Sequence, residues 1–144
     1  MADDDPFDLG RFVEAQRSNY DDALAELTAG RKLTHWMWYV LPQLRGLGAS
    51  HMAKRYGIAS LEEARAYLAH PVLGPRLLAC VDAMNALRES SAERVLGAID
   101  GMKYRSCLTL FIAADPGNQA LRASLAKFYG GAEDERTRAL LRAA

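Results

Sequence analysis

Apolar residues recur along most of this chain at the spacing of an α-helix. Between Phe7 and Leu27 they return every three or four positions, and Gly30 stands where a helix stop signal is expected. Similar stripes run from Gly74 to Arg88 and from Met102 to Ala113. Alternation with a period of two never continues for more than a few residues. The pattern therefore predicts an all-α protein, a compact single-domain orthogonal multi-helix bundle of about seven to eight helices.

Capping signals and prolines divide these stripes into separate helices. The short aromatic segment from Leu33 to Leu41 ends at Pro42 and predicts a buried two-turn helix with Thr34 as its N-cap. Ser60 and Glu63 form a capping box, in which the glutamate can reach back to the Ser60 amide. Further N-caps are predicted at Ser50, Ser91, Asp100 and Asp134, and another helix at Asp115-Pro116.

Charge is balanced over the 144 residues, with eighteen basic and eighteen acidic side chains. A net charge of zero argues against broad attraction to nucleic acid or to a membrane surface, and the longest apolar stretches are too short to span a bilayer. The chain opens with three aspartates, unlike a signal peptide, so we expect an acidic flexible tail over residues 1–6 and one helical domain over 7–144. Cys80 and Cys107 lie in apolar helical patterns, which favours free buried thiols and a cytoplasmic protein.

The first group of residues that suggests chemistry lies around the two tryptophans. His35 and Tyr39 are four positions apart and share a helical face, and a loop with several glycines follows them. Aromatic faces beside an imidazole and an arginine suit a flat, anionic ligand. The alternative is an aromatic core segment with a structural loop, in which the imidazole bonds to backbone. On the first interpretation, the binding residues of this group are Trp36, Trp38, Tyr39, Gln43, Arg45 and Gly46.

A second group lies on the predicted helix from Met102 to Ala113. Lys103, Arg105, Ser106 and Thr109 share one arc of this helix, opposite an apolar arc. Two cations and two hydroxyls near a helix N-terminus suit a phosphate or a carboxylate. The alternative is an ordinary solvated polar face.

Other signatures of catalysis are missing from the sequence. There is no P-loop, no dinucleotide glycine fingerprint and no pair of cysteines at metal-binding spacing. His35, His51 and His70 are scattered along the chain. We therefore predict no metal and no cofactor.

Several motifs resemble a bacterial family known as domain of unknown function 1810. They are His35-Trp36-Met37-Trp38-Tyr39, Pro42-Gln43-Leu44, Gly46-Leu47-Gly48, His70-Pro71, Arg105-Ser106, Leu108-Thr109-Leu110-Phe111 and Lys127-Phe128-Tyr129-Gly130. The resemblance extends from about Phe7 to Leu141, and Cys107 departs from it where a second serine is expected. It implies a mainly helical fold without an established activity. A shorter likeness, in the Leu-Thr-Leu-Phe to Lys-Phe-Tyr region, is to the NADAR group, which is associated with ADP-ribose and N-glycosidic chemistry.

Two functions remain open from the sequence. The first is a site where the aromatic segment meets the helix of Lys103 and binds, or hydrolyses, a nucleotide-like or phosphate-containing small ligand. His35 and Ser106 would then orient groups or transfer protons. The second is a non-catalytic protein-interaction module with no small-molecule site, whose protein partner is unknown. Convergence of His35, Arg45, Lys103 and Ser106 on one pocket favours the ligand site, whereas their dispersal, together with a flat apolar patch, favours the interaction module.

Overall fold

The computed structural model describes residues 5–143 of the chain, and this part confirms the all-α prediction. Within these residues the helices number ten, and the chain pairs in strand fashion only at an isolated parallel bridge between Leu44 and Ile58. The helices are α1 (Gly10–Gln16), α2 (Tyr20–Ala29), α3 (Met37–Val40), α4 (His51–Tyr56), α5 (Leu61–Ala69), α6 (Leu73–Ala86), α7 (Ala92–Leu96), α8 (Ala98–Ala114), α9 (Gln119–Tyr129) and α10 (Glu135–Ala143).

Helix α8 is the centre of the fold. It packs against α5, α7, α9 and α10, and most of its residues from Tyr104 to Ile112 are buried. A helix that is buried on several sides carries apolar residues around most of its circumference, as α8 does. The buried hydrophobic side chains form one cluster, which runs from Leu9 in the first turns to Leu125 in α9.

The sequence predicted one helix from Phe7 to Leu27, but the structure has two, α1 and α2. Helix α1 ends at Gln16, whose buried amide donates to the Tyr39 carbonyl at 2.6 Å and to the Tyr67 hydroxyl at 3.1 Å. Residues 17–19 then turn the chain, so that α1 packs against α3 while α2 packs against α6. This division accounts for part of the difference between ten helices and the expected seven to eight.

Side-chain caps confirm most of the predicted helix starts. Ser50, Ser60 and Ser91 each accept a hydrogen bond from the amide three residues later, and Asp134 accepts one from Thr137. The helix predicted at Asp115-Pro116 begins instead at Gln119, because Asn118 supplies the cap.

Two carboxylates make hydrogen bonds that the sequence did not predict. Glu63 does not reach the Ser60 amide, since one of its oxygens accepts from the Ala59 amide at 3.0 Å and the other from Arg11. Asp5 lies within the predicted tail, yet its carboxylate accepts hydrogen bonds from the amides of Leu9 and Gly10. The rest of the acidic start, residues 1–4, lies outside the described residues.

Arg11 and Glu63 form a buried ion pair that joins α1 to α5. Their atoms Nη2 and Oε2 are 2.7 Å apart, and only 4% and 3% of the two side chains are exposed. The guanidinium also donates to the carbonyls of Phe7, Asp8, Arg55 and Gly57. A buried cation with this many partners ties the start of the chain to the turn before α5.

We expect Glu63→Gln to lower the free energy of unfolding by about 3 kcal/mol, because it leaves the buried Arg11 charge without a counterion. Urea denaturation followed by circular dichroism measures the loss. The matched control is Glu14→Gln, which breaks an arginine–glutamate pair whose side chains are 72% and 70% exposed. The control should change stability by less than about 0.5 kcal/mol. Equal losses in both variants would contradict the structural role of the buried pair.

Candidate functional site

The tryptophan segment is held in place by one carboxylate. Helix α2 ends at Ala29, its C-cap Gly30 has a left-handed φ of 83°, and the chain then turns back toward Glu26. Glu26 accepts hydrogen bonds from the amides of Leu33 (2.7 Å) and Thr34 (3.0 Å). It also accepts bonds from the Thr34 hydroxyl (2.6 Å) and the Trp36 indole (2.9 Å).

These bonds explain why the predicted helix from Leu33 to Leu41 was wrong in extent. Thr34 donates its hydroxyl to Glu26 and caps no helix, so only Met37–Val40 is helical. The carboxylate is partly desolvated, which raises its pKa, but the four hydrogen bonds outweigh this effect. They lower the pKa of Glu26 from its ordinary value of 4.5 to about 2.

The two tryptophans lie in different environments. Trp36 is fully buried, with the Lys32 ammonium 5.1 Å from its ring centroid. Trp38 is half-buried and has the Lys103 ammonium 4.9 Å from its ring centroid. Trp36 therefore belongs to the core, as the alternative interpretation held, whereas Trp38 offers part of its ring to solvent.

Asp100 connects the lysines that lie over the two tryptophans. Its carboxylate is 2.9 Å from the Lys32 ammonium and 3.6 Å from that of Lys103. The sequence predicted Asp100 as an N-cap, but α8 begins at Ala98 after Gly97, so Asp100 lies inside its first turn. One carboxylate thus neutralises only part of the charge of two ammonium groups, and the surface beside Trp38 stays positive.

A pocket of about 440 Å³ lies between the tryptophan segment, α8 and the start of α10; we call it the Trp38 pocket. Four of the predicted site residues line it, Trp38 and Gln43 from the first group and Lys103 and Ser106 from the second. The other lining residues are Leu47, Gly48, Ala49, Ser50, Ala53, Ile99, Met102, Asp134 and Arg136.

The Trp38 pocket has polar groups that remain available to a ligand. Within residues 5–143 the side-chain amide of Gln43 makes no hydrogen bond. The Ser106 hydroxyl donates to the Met102 carbonyl at 3.3 Å and keeps its acceptor capacity. Arg136 is exposed and donates through Nη2 to the Leu47 carbonyl at 3.1 Å. Asp134, the only lining carboxylate among these residues, is engaged in capping α10.

The structure puts the predicted catalytic pair in two different pockets. His35 is exposed and lines a second pocket of about 440 Å³ at the N-terminus of α8, whereas Ser106 lines the Trp38 pocket. Trp38 and Ile99 border both pockets. The imidazole and the serine hydroxyl are thus close to the same tryptophan without facing one cavity.

The remaining predicted site residues lie away from the Trp38 pocket. Arg45 and Gly46 border a separate pocket beside α1 and α4, and Arg105 donates to the Ala132 carbonyl at 2.7 Å. Thr109 is buried, since its hydroxyl donates to the Arg105 carbonyl and accepts from the Asp134 amide at 2.8 Å. Tyr39 is buried and donates to the His35 carbonyl at 3.0 Å.

Sequence reasoning missed Arg136, Asp134, Ile99 and Met102 in the Trp38 pocket. Helix α10 carries several arginines, and nothing in their spacing indicates which of them approaches the loop at Leu47. Ile99 and Met102 carried a detectable signal, because they are large apolar residues off the buried face of α8, with 72% and 70% exposure.

Two other kinds of site receive no support. Burial raises the pKa of Cys80 to about 12 and raises that of Cys107 as well, so both free thiols are protonated at neutral pH and are poor nucleophiles. Over the described part of the chain, no group of three or more His, Cys, Asp or Glu residues is arranged to hold a metal ion.

None of the helices in residues 5–143 is long and apolar enough to cross a membrane.

Comparisons with known proteins agree with the predicted family resemblance. Residues 6–141 match the family model described as protein of unknown function DUF1810. A search of curated proteins found no match. The chain is 56% identical to the conserved hypothetical protein Rv1873 from Mycobacterium tuberculosis, whose crystal structure was solved at 1.38 Å. The match has a TM-score of 0.94 and covers 96% of this chain and 99% of that one. The likeness to the NADAR group is not borne out by these matches.

The low pKa of Glu26 predicts how the tryptophan segment responds to acid. A carboxylate whose pKa is lower in the folded state stabilises the fold above its ordinary value of 4.5 and loses this effect as the pH falls to about 2. We therefore expect Glu26→Gln to be less stable than the parent at pH 7, with the difference shrinking between pH 4.5 and pH 2. Urea denaturation across this range measures it.

Asp82→Asn provides the control, because Asp82 is exposed on α6 and makes no hydrogen bond or ion pair within residues 5–143. It should show little difference from the parent at any pH in this range. A stability difference for Glu26→Gln that stays constant from pH 7 to pH 2 would contradict the role assigned to the four hydrogen bonds.

Proposed function

We propose that this chain, which belongs to the DUF1810 family of proteins of unknown function, binds a small anionic ligand with a flat or apolar portion in the Trp38 pocket. The observation that carries the proposal is the convergence of Trp38, Gln43, Lys103 and Ser106 on one pocket. Its volume of about 440 Å³ is within the range of small-molecule sites.

Electrostatics supports an anionic ligand. Lys103 and Arg136 face the pocket, and the nearby carboxylates are already engaged, Asp134 as a helix cap and Asp100 between two lysines. The electrostatic attraction of an anion is strongest where cations lack a full complement of counterions, particularly in a concave site that excludes part of the water. A phosphate or carboxylate group near Lys103 meets this condition.

The apolar surfaces support a ligand that also has a flat or apolar part. Trp38 offers its half-buried ring, and Ile99 and Met102 extend the apolar rim on the side of α8. The free amide of Gln43 adds a donor and an acceptor that can fix the orientation of a polar ring edge. Nucleotides, ADP-ribose and other sugar phosphates combine these features and are the first class to test.

The proposal is binding without hydrolysis. General acid–base catalysis needs groups within hydrogen-bond reach of the same reacting atoms, and His35 and Ser106 line different pockets. A cytoplasmic setting for this binding is supported by the two buried free cysteines.

A protein-interaction module is the second candidate, and one observation favours it. Ile99 and Met102 are exposed large apolar residues three positions apart on α8, so they form one small patch at the rim of the pocket. Binding of a protein partner at this patch would depend on Ile99 and Met102 and not on the charge of Lys103. The variant described next separates the two functions.

We expect one or more nucleotides, ADP-ribose or sugar phosphates to raise the melting temperature of the parent protein. A ligand present at a hundred times its Kd stabilises by about 2.7 kcal/mol, which corresponds to roughly 5–10 °C for a domain of this size. Lys103→Met keeps an unbranched stem beside Trp38 but removes the charge, so it should weaken binding about tenfold or more. Differential scanning fluorimetry identifies the ligand, and isothermal titration calorimetry measures its affinity.

Arg65→Met is the matched control, since Arg65 is exposed on α5, lines neither the Trp38 pocket nor the pocket beside α1 and α4, and the variant loses the same single charge. The affinity of Arg65→Met for the ligand should equal that of the parent protein. The proposal fails if no compound of this class shifts the melting temperature, or if Lys103→Met and Arg65→Met bind equally well.

Intrinsic fluorescence gives an independent prediction, because the chain has only two tryptophans. Trp36 is fully buried and bonded to Glu26, whereas Trp38 borders the pocket. We expect the bound ligand to change the emission of the parent and to leave that of Trp38→Phe nearly unchanged. A change that persists in Trp38→Phe would place the ligand elsewhere.

A further inference from the structure

We infer that the pocket beside α1 and α4 is a second anion site, separate from the Trp38 pocket, which takes an oxyanion with at least two negative charges such as a phosphate or pyrophosphate group. We call it the arginine pocket. It encloses about 800 Å³, and the ionisable residues that line it are Arg11, Arg45, Lys54, Arg55, Asp8 and Glu63. The chain as a whole has a net charge of zero, so four cations against two carboxylates is a local excess.

The buried pair at the floor of the arginine pocket is closed to a ligand. The guanidinium of Arg11 donates hydrogen bonds to Glu63 and to four carbonyls. Both carboxylate oxygens of Glu63 already accept hydrogen bonds. These two charges cancel. The groups left to meet a ligand are Arg45, Lys54 and Arg55, opposed only by Asp8, whose carboxylate is 3.8 Å from Arg55.

Two of these cations keep donors free. Arg45 uses one N–H bond, from Nη2 to the Gly57 carbonyl at 3.1 Å, and it forms no ion pair with any carboxylate in residues 5–143. Lys54 is exposed on α4 and has neither an ion pair nor a side-chain hydrogen bond over the same residues. Arginine can hold two oxygens of a phosphate at once, and lysine adds a mobile point charge.

The backbone around Arg45 is fixed before any ligand arrives. The Arg45 amide donates to the Ile58 carbonyl at 2.7 Å, and the Ile58 amide donates to the Gln43 carbonyl at 3.0 Å. Gly57 permits this close approach, since a Cβ there would lie 2.7 Å from the Cβ of Arg45. Moreover, the guanidinium groups of Arg11 and Arg45 both donate to the Gly57 carbonyl, each at 3.1 Å. Arg45 is therefore held beside the buried pair, and its own charge has no carboxylate partner in residues 5–143.

The arginine pocket is distinct from the site of the proposed function. The chain from Gly46 to Gly48 runs between the two pockets, with Gly48 on the border of both. Arg45 and Gly46 face the arginine pocket, while Lys103 and Ser106 face the other. Failure of the Trp38 pocket to bind a ligand therefore leaves this inference standing, and the reverse also holds.

Inorganic pyrophosphate is the probe, titrated by isothermal calorimetry in a phosphate-free buffer at low salt. We expect binding that weakens as salt is added, because exposed charges are screened. Lys54→Met should weaken it several-fold, and Arg45→Met combined with Lys54→Met at least tenfold. Arg65→Met should bind as the parent does. Circular dichroism checks that the double variant folds. If it does not, the affinity of Lys54→Met alone tests the inference. Lys54 makes no side-chain hydrogen bond or ion pair with residues 5–143 whose loss would disturb the fold.

Three results overturn the inference. The first is no heat of binding with pyrophosphate at millimolar concentration, and the second is equal weakening by Lys54→Met and Arg65→Met. The third is loss of binding in Lys103→Met but not in Lys54→Met, which assigns the anion to the Trp38 pocket. A parallel titration of Lys103→Met, in which binding at the Trp38 pocket is weakened, with inorganic phosphate and a sugar phosphate distinguishes the source of the group. Tighter binding of the ester indicates a phosphorylated metabolite, and equal binding indicates the free anion; either result supports the site.

Discussion

The candidate site depends on the carboxylate of Glu26. It accepts hydrogen bonds from four donors in residues 33–36, the stretch that leads into α3. By binding the indole of Trp36 it fixes that ring in the core, and the following turn of α3 then sets Trp38 at the surface. Three of these bonds lie at the surface and the bond to the indole is partly buried, so each adds about 1 kcal/mol or less, and together they favour this one arrangement. The wall of the Trp38 pocket is thus determined by a residue that does not line it.

Charge is distributed unevenly although the chain is neutral overall. Asp100 is shared between Lys32 and Lys103, and Glu63 is committed to Arg11, so the acidic residues closest to the pockets are occupied. The basic residues that remain, Lys103 and Arg136 on one side and Arg45 and Lys54 on the other, face cavities. These cations without full counterions, on concave surfaces, are the ground on which we propose an anion for each cavity.

The sequence predicted the features that depend on residues close together in the chain. It missed the features that depend on contacts between residues far apart in the chain. The caps at Ser50, Ser60 and Ser91 were recognisable because donor and acceptor are three positions apart. The end of α1 was not, since Gln16 bonds to groups in α3 and α5. Likewise, helical spacing grouped Lys103 with Thr109 on one arc. The Asp134 amide before α10 donates to the Thr109 hydroxyl, which is buried. Of that arc, only Lys103 and Ser106 therefore line the Trp38 pocket.

The loop from Arg45 to Gly48 explains why one predicted site became two pockets. The sequence placed Arg45 with Lys103 because both are cations near aromatic or hydroxyl groups. In the fold, the bridge between Leu44 and Ile58 turns Arg45 toward Gly57, while the Leu47 carbonyl on the other side accepts from Arg136. A loop bonded on both sides acts as a partition. The Trp38 ring and the apolar rim of Ile99 and Met102 therefore lie on one side of this loop, whereas Arg45 and Lys54 lie with the half-buried ring of Phe7 on the other.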